Sequence, residues 1–353
     1  GRLCVKGRFG FDYIHSPERL TMPLIRLPGI AKDDVAIDPA NPLSHFREAS
    51  WEEALSVAAN GLKSIRDGHG GRALAGFGSA KGSNEEAYLF QKLVRTGFGG
   101  NNVDHCTRLC HASSVAALMQ TIGSGAVTAP FTDALEADVI LIIGCNPEVN
   151  HPVAATYLKQ AAKRDSQLIV VDPNGAVLEQ SATWMLQLKP ATDVALLNAM
   201  LHVIITEDLV DHAYIEEHTT GFAALADHIA AFPPDAMAAL TGVPADDIRA
   251  AARAFAGARN AMIFWGMGIS QHIHGTDNAR CLISLCLATG HMGRPGNGLH
   301  PLRGQNNVQG ASDAGLIPML YPDYQPVSDP AARARFEKLW GTELDPEPGL
   351  TVV

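Results

Sequence analysis

Apolar residues along this chain follow two alternating patterns, short continuous runs and stretches with helical spacing. The run ADVILIIGCNP at 137–147 has the length of a buried strand and ends in a loop that contains Gly, Asn and Pro. An amphipathic helix is predicted over 150–165, and a second buried strand over 167–173 ends in Asp-Pro. This alternation predicts parallel strands joined by crossover helices, so the predicted fold class is α/β.

Further elements of the same two kinds follow. They are a strand at 184–190, a helix at 193–210, a helix at 244–258 that starts with Pro244, and a strand at 261–271 that exits into a glycine-rich loop. Residues 72–99 are typical of a strand, a glycine-rich turn and a helix that begins at Ser83 or Asn84. Glu85 and Glu86 fall in the first turn of that helix, where negative charge suits the helix dipole. The last thirty residues, rich in proline and charge, are interpreted as a lid or the start of another segment.

Several predicted strands end in loops built from Gly, Asn, Asp and Pro. In open α/β sheets, ligands bind beyond the carboxyl ends of the strands, and helix N-termini there hold phosphates. The sequence has no Walker motif, and GMGISQ at 266–271 lacks the last glycine of a dinucleotide fingerprint. The pattern therefore predicts a ligand site at the strand ends and gives poor support for a nicotinamide site.

Composition excludes several classes of function. The 353 residues, 46% of them hydrophobic, suffice for one large or two medium domains. A formal net charge of −10 argues against a nucleic-acid surface, which requires an excess of Lys and Arg. No apolar run approaches the ~20 residues that cross a bilayer, so no membrane span is predicted.

The cysteines are too sparse for a disulfide scaffold. Six in the whole chain indicate reduced thiols and a cytoplasmic setting. Cys145, Cys281 and Cys286 lie in apolar runs and are predicted to be buried, inert thiols. The sequence starts without Met or a signal-peptide pattern and ends without a helix stop, so we interpret it as an internal segment whose localisation signal can be missing.

The stretch DHCTRLCHAS at 104–113 carries candidate chemistry. It places Cys106 and Cys110 four residues apart, with His111 beside the second cysteine. A structural zinc site needs four ligands with paired spacing, and no second pair is obvious. A disulfide would be unusual in a reduced chain, and sequence neighbours rarely present a nucleophile and its base to one reacting atom. The spacing alone leaves zinc, a disulfide, a nucleophile and a heavier metal open.

A second polar cluster lies at 291–313, where glycines surround Arg303, Gln305, Asn306 and Asn307 in HMGRPGNGLHPLRGQNNVQGASD. Such clustering indicates a polar ligand. Taken in order, the segments CVKG, NNVDHCTRLCHASSVAAL, IIGCNPEVNHP, VVDP, WGMGISQ and GRPGNGLHPLRGQNNVQGASD resemble the catalytic (alpha) subunits of metal-dependent formate dehydrogenases. These subunits belong to the molybdenum/tungsten bis-pterin oxidoreductases, the dimethyl-sulfoxide-reductase family. The resemblance covers essentially the whole chain.

The resemblance implies reversible oxidation of formate to carbon dioxide. In that family the residue matching Cys110 is a cysteine or selenocysteine that binds molybdenum or tungsten. His111 matches a histidine that accepts or relays the proton. Arg303 matches the arginine that holds the formate carboxylate through a charge-assisted contact, which a guanidinium can make with both oxygens. The sequence does not choose between the two metals, or between hydride transfer and proton abstraction.

The resemblance also implies two cofactors. The first is a Mo- or W-bis(molybdopterin guanine dinucleotide), and the residues matched to its binding are Gly144, Asn146, Asp172, Asp193, Gly266, Met267, Gln271 and Gln305. Asn174 departs from the family, which commonly has arginine after Asp-Pro. The second is a 4Fe-4S cluster: Cys4 matches its last ligand and Lys6 the lysine between cluster and pterin, while the other three ligands would lie upstream. Cys106 is expected to be structural, and His272, His274 and His291 are expected on the surface or in loops.

The family layout implies two interleaved α/β domains with mainly parallel sheets. Residues 1–30 would be the remnant of an iron–sulfur domain, 31–105 plus 306–353 a partial discontinuous domain, and 106–305 the pterin-dinucleotide-binding domain. A C-terminal β-barrel domain would be absent, and the segment alone is expected to be inactive. Implied partners are electron-transfer subunits with iron–sulfur clusters, flavin and NAD. The alternatives are another bis-pterin enzyme such as a nitrate reductase, or a cofactor-free binding module; the Cys-His pair and LRGQNN favour formate dehydrogenase.

Overall fold

The protein is an α/β structure, and its computed structural model describes residues 3–32 and 38–353. Its strands, in chain order, are β1 (Leu24–Arg26), β2 (Phe46–Glu48), β3 (Gly76–Gly78), β4 (Val103–His105), β5 (Val139–Ile143), β6 (Gln167–Val171), β7 (Trp184–Leu186), β8 (Ala261–Trp265), β9 (Gly298–Pro301), β10 (Leu320–Tyr321) and β11 (Gln325–Pro326).

Helices supply most of the connections between these strands. The α-helices, in chain order, are α1 (Val5–Phe9), α2 (Trp51–His69), α3 (Asn84–Lys92), α4 (Thr107–Cys110), α5 (Ala112–Ile122), α6 (Pro147–Asn150), α7 (Pro152–Ala162), α8 (Asp193–Thr206), α9 (His212–His218), α10 (Phe222–Ile229), α11 (Pro234–Thr241), α12 (Ala245–Gly257), α13 (Met267–Ser270), α14 (Gly275–Ala288), α15 (Val308–Asp313) and α16 (Pro330–Trp340). Short 3₁₀ segments lie at Gly10–His15, Gly71–Ala73, Phe131–Glu136 and Pro322–Tyr324, and a π-helical turn at Leu93–Phe98. Within the described residues, no helix combines the length and the apolar character that a bilayer crossing requires.

The central sheet has the order β7–β6–β5–β8–β9, and every pairing in it is parallel. Alternate side chains of its middle strand, β5, enter two different cores. Val139, Leu141 and Ile143 belong to one core, while Ile140 and Ile142 belong to the other. A strand buried on both faces has no polar side, which explains the continuous apolar run in the sequence. The predicted α/β class with a mainly parallel sheet is confirmed.

The chain folds as two compact units. The first contains Leu3–His105, as far as described, and Gly310–Val353; the second contains Cys106–Gln309. The first unit holds the antiparallel pairs β1–β2 and β10–β11 and the parallel pair β3–β4. The second holds the central sheet. The domain ranges predicted from the family layout, with a separate iron–sulfur portion at 1–30, stay predictions.

A buried arginine ties the two sequence segments of the first unit together. Arg95 is 1% exposed, and its guanidinium lies 5.0 Å from the ring centroid of Tyr321. Burial lowers the pKa of Arg95 to about 10. Its hydrogen-bond acceptors are side-chain or backbone oxygens of Gln91, Asn101, Gly315, Ile317 and Leu320. Because each acceptor is neutral, the charge is stabilised by oriented dipoles, as a buried cation requires in place of water.

Several predicted element boundaries differ from the structure. The helix predicted after the first glycine-rich turn begins at Asn84, as expected, and Ser83 is its N-cap. The structure adds a capping box between Ser83 and Glu86. The glycine-rich loop predicted after β8 is wrong, because Met267–Ser270 form the short helix α13. The helix predicted over 150–165 is divided at His151, whose backbone is not helical and which precedes a proline.

The last thirty residues do not form a separate lid. Asp345 forms an ion pair with Arg72, with 2.7 Å between the nitrogen and the oxygen. The side-chain amide of Asn101 donates to the carbonyl oxygens of Asp345 and Glu347 at 2.9 and 2.8 Å. These residues are therefore an integral part of the first unit, and the lid interpretation is wrong.

Candidate active site

A cavity of about 310 Å³ lies beyond the carboxyl ends of β5, β6 and β8 in the second unit. The loops after these strands and the N-terminus of α8 line it, which is the usual ligand position in an open α/β sheet. Its lining includes six residues matched to pterin dinucleotide binding, namely Gly144, Asn146, Asp172, Asp193, Gly266 and Met267. A larger cavity of about 800 Å³, lined by residues of α5, α9, α10 and α14, contains none of the predicted site residues.

The loops after β5 and β8 are in direct backbone contact, and glycine makes this possible. Gly144 has a φ of +59°. A Cβ atom on it would lie 2.8 Å from the backbone nitrogen of Ile269. The backbone N–H of Gly268 donates to the carbonyl oxygen of Gly144 at 2.9 Å. A side chain at Gly144 would therefore push apart two loops that line the cavity.

Replacing Gly144 by alanine is expected to destabilise the protein. The left-handed backbone and the close contact with Ile269 together should lower the free energy of unfolding by about 1–3 kcal/mol. Gly61→Ala is the matched control, because Gly61 lies inside α2 and a Cβ atom added to it would meet no atom within 4 Å. That control should be stabilising by about 0.5–1 kcal/mol. Denaturant unfolding of both variants measures the difference, and equal stabilities would contradict the packing argument.

The cavity wall is rich in hydrogen-bond acceptors. Burial raises the pKa of both Asp172 and Asp193. Of the described residues that line the cavity, none is a lysine or an arginine. Ala191, which also lines it, has a φ of +67°, a strained conformation that residues other than glycine rarely adopt. This wall suits a ligand portion that donates N–H or O–H groups, and it suits a phosphate poorly.

Cys110, His111 and Arg303 come together in the second unit. Cys110 is buried at the end of α4, and His111 is fully buried directly after it. Burial raises the pKa of the Cys110 thiol, while the N–H of Gly304 and the charge of Arg303 act in the opposite direction. Burial, and then the charge of Arg303, lower the pKa of His111 to about 4, so its imidazole is neutral at pH 7.

A chain of buried hydrogen bonds holds the His111 ring. Trp265 Nε1 donates to Ser114 Oγ at 2.9 Å, and Ser114 Oγ lies 2.7 Å from Ser270 Oγ. Ser270 Oγ in turn lies 3.1 Å from His111 Nδ1. Because an indole can only donate, Ser114 accepts from Trp265, and either serine hydroxyl can be the donor between Ser114 and Ser270. Neither serine was predicted from the sequence, because these hydrogen bonds join two distant segments, 111–114 and 265–270, and leave no local signal.

A second histidine contacts the main chain at Arg303. The Nε2 atom of His151 lies 2.5 Å from the carbonyl oxygen of Arg303. The side chain of Arg303 donates to the carbonyl oxygen of Gly125 at 2.9 Å. His151 also lines the cavity at the strand ends. The motif IIGCNPEVNHP includes His151, but no role was predicted for it from the sequence.

The remaining predicted site residues lie in different surroundings. The exposed Gln271 donates from Nε2 to the carbonyl oxygen of Leu109 at 2.7 Å, one residue before Cys110. Gln305 is half-buried in the loop after β9. Cys4 and Lys6 belong to the first unit, where the backbone N–H of Gly7 is the main cause that lowers the pKa of the Cys4 thiol.

The other cysteines and histidines follow the expectations only in part. Cys286 is buried, whereas Cys145 and Cys281 are only partly buried; all described cysteines are free thiols. His274 is exposed. His291 was expected on the surface or in a loop, and this is wrong: it is 1% exposed and hydrogen bonds to Phe255 and Asn297. Those partners come from distant segments, so its burial is satisfied in a way that the local sequence does not reveal.

Comparison with known proteins identifies the family. A family model described as "Molybdopterin oxidoreductase" matches residues 19–339. The chain belongs to the molybdopterin oxidoreductase family. Membership implies a molybdopterin cofactor.

Relatives of this molybdopterin oxidoreductase are known from bacteria and archaea. It is 40% identical over 347 residues to formate dehydrogenase H of Escherichia coli (strain K12), covering 98% of this chain and 47% of that protein. It is 39% identical over 352 residues to the F420-dependent formate dehydrogenase subunit alpha of Methanocaldococcus jannaschii, covering 100% of this chain and 49% of that protein. The chain thus spans about half the length of these curated relatives.

A solved structure has a similar fold. Acetylene hydratase from Pelobacter acetylenicus matches with a TM-score of 0.71 and 26% sequence identity. The match covers 82% of this chain and 38% of that chain. It supports the α/β architecture described above for the molybdopterin oxidoreductase.

The residues present fit a large polar cofactor. Among the described residues, the buried side-chain nitrogen and oxygen atoms without a hydrogen-bond partner include three in the second unit: His111 Nε2, His151 Nδ1 and Gln305 Oε1. Unpartnered buried polar atoms are costly and mark places where a ligand can bind. The part of the chain that is described contains no group of three or more His, Cys, Asp or Glu residues able to hold a metal ion. Among those residues, Cys110 therefore has no two neighbours of these types that could complete a metal site with it.

Proposed function

We propose that the protein containing this chain oxidises formate to carbon dioxide, and that the same site catalyses the reverse reaction. One observation carries the proposal: the segment around Arg303, 193 residues after Cys110 in the sequence, contacts both Cys110 and His111. The backbone of Gly304 hydrogen bonds to the Cys110 thiol, that of Leu302 interacts with the His111 ring, and the charge of Arg303 acts on both groups. A cation beside a buried thiol and a neutral imidazole suits a small anion that must lose a proton. The similarity to proteins named formate dehydrogenase supports this choice of substrate.

The proposed cofactor is molybdenum or tungsten bound by two pterin guanine dinucleotides. When bound, this centre supplies the acceptor for two electrons. Cys110 would be its protein ligand, because a thiolate suits a soft metal and coordination favours the deprotonated sulfur. The N–H of Gly304 and the charge of Arg303, which both favour the thiolate, support this role. The acceptor-rich wall around Asp172 and Asp193 supports binding of the N–H donors on a guanine or pterin edge.

Arg303 would bind formate, and His111 would accept the proton that its oxidation releases. Formate offers one carboxylate, and a guanidinium can bind both of its oxygens. Oxidation of formate releases carbon dioxide, one proton and two electrons. If Nδ1 of His111 donates to Ser270, the lone pair of Nε2 is left to accept that proton. Ser270 Oγ lies 3.5 Å from the carbonyl oxygen of Gly266, so the serine can donate its proton to that oxygen and accept from His111.

Electrons would leave through the N-terminal part of the protein. Cys4 would be one ligand of a 4Fe-4S cluster, and Lys6 would lie between the cluster and a pterin. The lowered pKa of the Cys4 thiol supports a ligand role, since iron binds the thiolate. The final acceptor would be NAD, bound by a partner subunit that carries flavin and iron–sulfur clusters.

The test uses the intact parent protein, purified without oxygen. We expect formate-dependent reduction of a viologen dye, no nitrate reduction with a reduced dye, and molybdenum or tungsten with guanine nucleotide in the protein. Metal analysis by mass spectrometry and chromatography of acid-released GMP measure the cofactor. Nitrate reduction would favour a nitrate reductase, and absence of both metal and pterin would favour a cofactor-free binding module. Either result would overturn the proposal.

A further inference from the structure

We propose that His151 is a positioning residue that joins the cofactor cavity to the main chain of Arg303. It would accept a hydrogen bond from an amino, ring N–H or hydroxyl group of the cofactor through Nδ1, and hold Arg303 through Nε2. The proposal rests on the proposed function, in which Arg303 binds formate. It adds a residue to which neither the sequence nor the family comparison gives a role.

The backbone around His151 fixes its ring between two helices. His151 is the C-cap of α6, and its N–H donates to the carbonyl oxygen of Pro147 at 2.9 Å. Its own carbonyl oxygen accepts from the N–H of Ala155 at 2.9 Å, in the first turn of α7. Pro152 follows and keeps the backbone of His151 out of the helical region. The ring therefore projects from a rigid junction.

The contact with Arg303 determines which ring nitrogen carries hydrogen. The carbonyl oxygen of Arg303 can only accept, so Nε2 of His151 must be the donor across their 2.5 Å separation. In the neutral imidazole, Nδ1 is then left as an acceptor. This atom is buried and has no hydrogen-bond partner among the described residues. A hydrogen-bond donor on a ligand would stabilise this buried, unpartnered acceptor.

The other residues that line the cavity indicate which kind of hydrogen-bond donor would bind Nδ1 of His151. Asp172 and Asp193 line the same cavity and add further acceptors. A deprotonated phosphate has no hydrogen to donate, whereas guanine, pterin and ribose carry N–H or O–H groups. The geometry therefore points to a heterocycle edge or a sugar hydroxyl as the partner of Nδ1. Filling the cavity would then fix the ring and, through Nε2, the position of the Arg303 main chain.

Two substitutions separate the two contacts of the ring. In His151→Gln, the amide group can occupy the position of Nε2, so it retains a donor to Arg303 and loses the acceptor toward the cavity. In His151→Asn, the shorter side chain can place its oxygen near the position of Nδ1, so it retains the acceptor and loses the contact with Arg303. The exposed His274, which does not line the cavity, provides the matched control variant His274→Gln.

The test uses the intact enzyme. The amount of bound cofactor is measured as metal and as acid-released GMP per protein molecule. We expect His151→Gln to retain roughly 10–100-fold less cofactor under dilution, as for other supporting residues of a bound centre. The KM for formate of its loaded fraction should stay within about twofold of wild type. His151→Asn should retain its cofactor and show a KM for formate raised by about tenfold. His274→Gln should match wild type in both measurements.

Equal effects of the two substitutions on cofactor retention and on KM would overturn the proposal. A measurement on wild-type protein covers the case in which both variants misfold. Hydrogen–deuterium exchange at C2 of His151, followed by mass spectrometry, should be slower in cofactor-loaded than in cofactor-stripped protein. Equal exchange rates would also overturn it. Wild-type protein that contains the cofactor but does not oxidise formate would instead refute the proposed function, because retention and exchange do not depend on turnover.

Discussion

Arg303→Met is expected to lower kcat/KM for formate by roughly 10²–10⁴-fold, because it removes two charge-assisted hydrogen bonds worth about 1.5–3 kcal/mol each. Arg303→Lys retains the charge without the forked donors and should lose about 10–100-fold. The charge of Arg303 also lowers the pKa of His111, so its removal should raise that pKa. Steady-state dye reduction at equal cofactor content measures these losses over a range of pH.

The control for this prediction is Arg294→Met. Arg294 is exposed and donates to the carbonyl oxygen of Arg259 at 3.1 Å, outside the candidate site. Its replacement should leave kcat/KM within about twofold of wild type. If Arg303→Met retains normal formate kinetics while cofactor content is unchanged, the assignment of Arg303 to the substrate carboxylate is wrong.

Cys110→Ser should reduce turnover of formate by roughly a thousandfold or more, as loss of a central group in a catalytic unit does. The hydroxyl of serine is a harder and far less acidic donor than a thiol, so it is a poor replacement for a metal-bound thiolate. Cys110 is 7% exposed, and the small change in volume should leave the packing around α4 intact. The measurement is kcat in the intact enzyme together with metal and GMP content.

Cys106→Ser is the matched control for this substitution. Cys106 lies four residues earlier, is partly buried and is expected to be structural. It should retain at least about half of the wild-type kcat. Loss of activity in the Cys106 variant and retention in the Cys110 variant would reverse the two assignments and require a different metal ligand.

Features that depend on neighbouring residues were predictable from the sequence, whereas features that depend on distant residues were not. The run that became β5 was predictable, because a strand buried on both faces has a continuous apolar sequence. The helix start at Ser83 was predictable because all atoms of its capping box lie within four residues. The helix α13 was missed because its glycines indicate a turn, while its conformation depends on contact with the loop after β5.

The candidate site shows the same limit. Two local patterns marked Cys110, His111 and Arg303 as candidates, but only the family resemblance joined them into one site, since no local pattern connects residues so far apart in sequence. Ser270 and His151 were missed because their roles depend on atoms of other segments, a neighbouring imidazole and a backbone carbonyl. The burial of His291 was missed because its acceptors lie on other elements. The function of a polar side chain depends on the groups that it contacts, and a single sequence does not show which groups those are.

The buried Arg95 has a consequence for the order in which the protein is made. Its backbone acceptors at Gly315, Ile317 and Leu320 are translated 220 or more residues after Arg95 itself. At about 5–20 residues per second, a ribosome needs roughly 10–45 s to reach them. During that interval the whole second unit, Cys106–Gln309, is translated. The inserted unit can therefore fold first, and Arg95 remains hydrated until the later segment supplies the carbonyl oxygens that replace water.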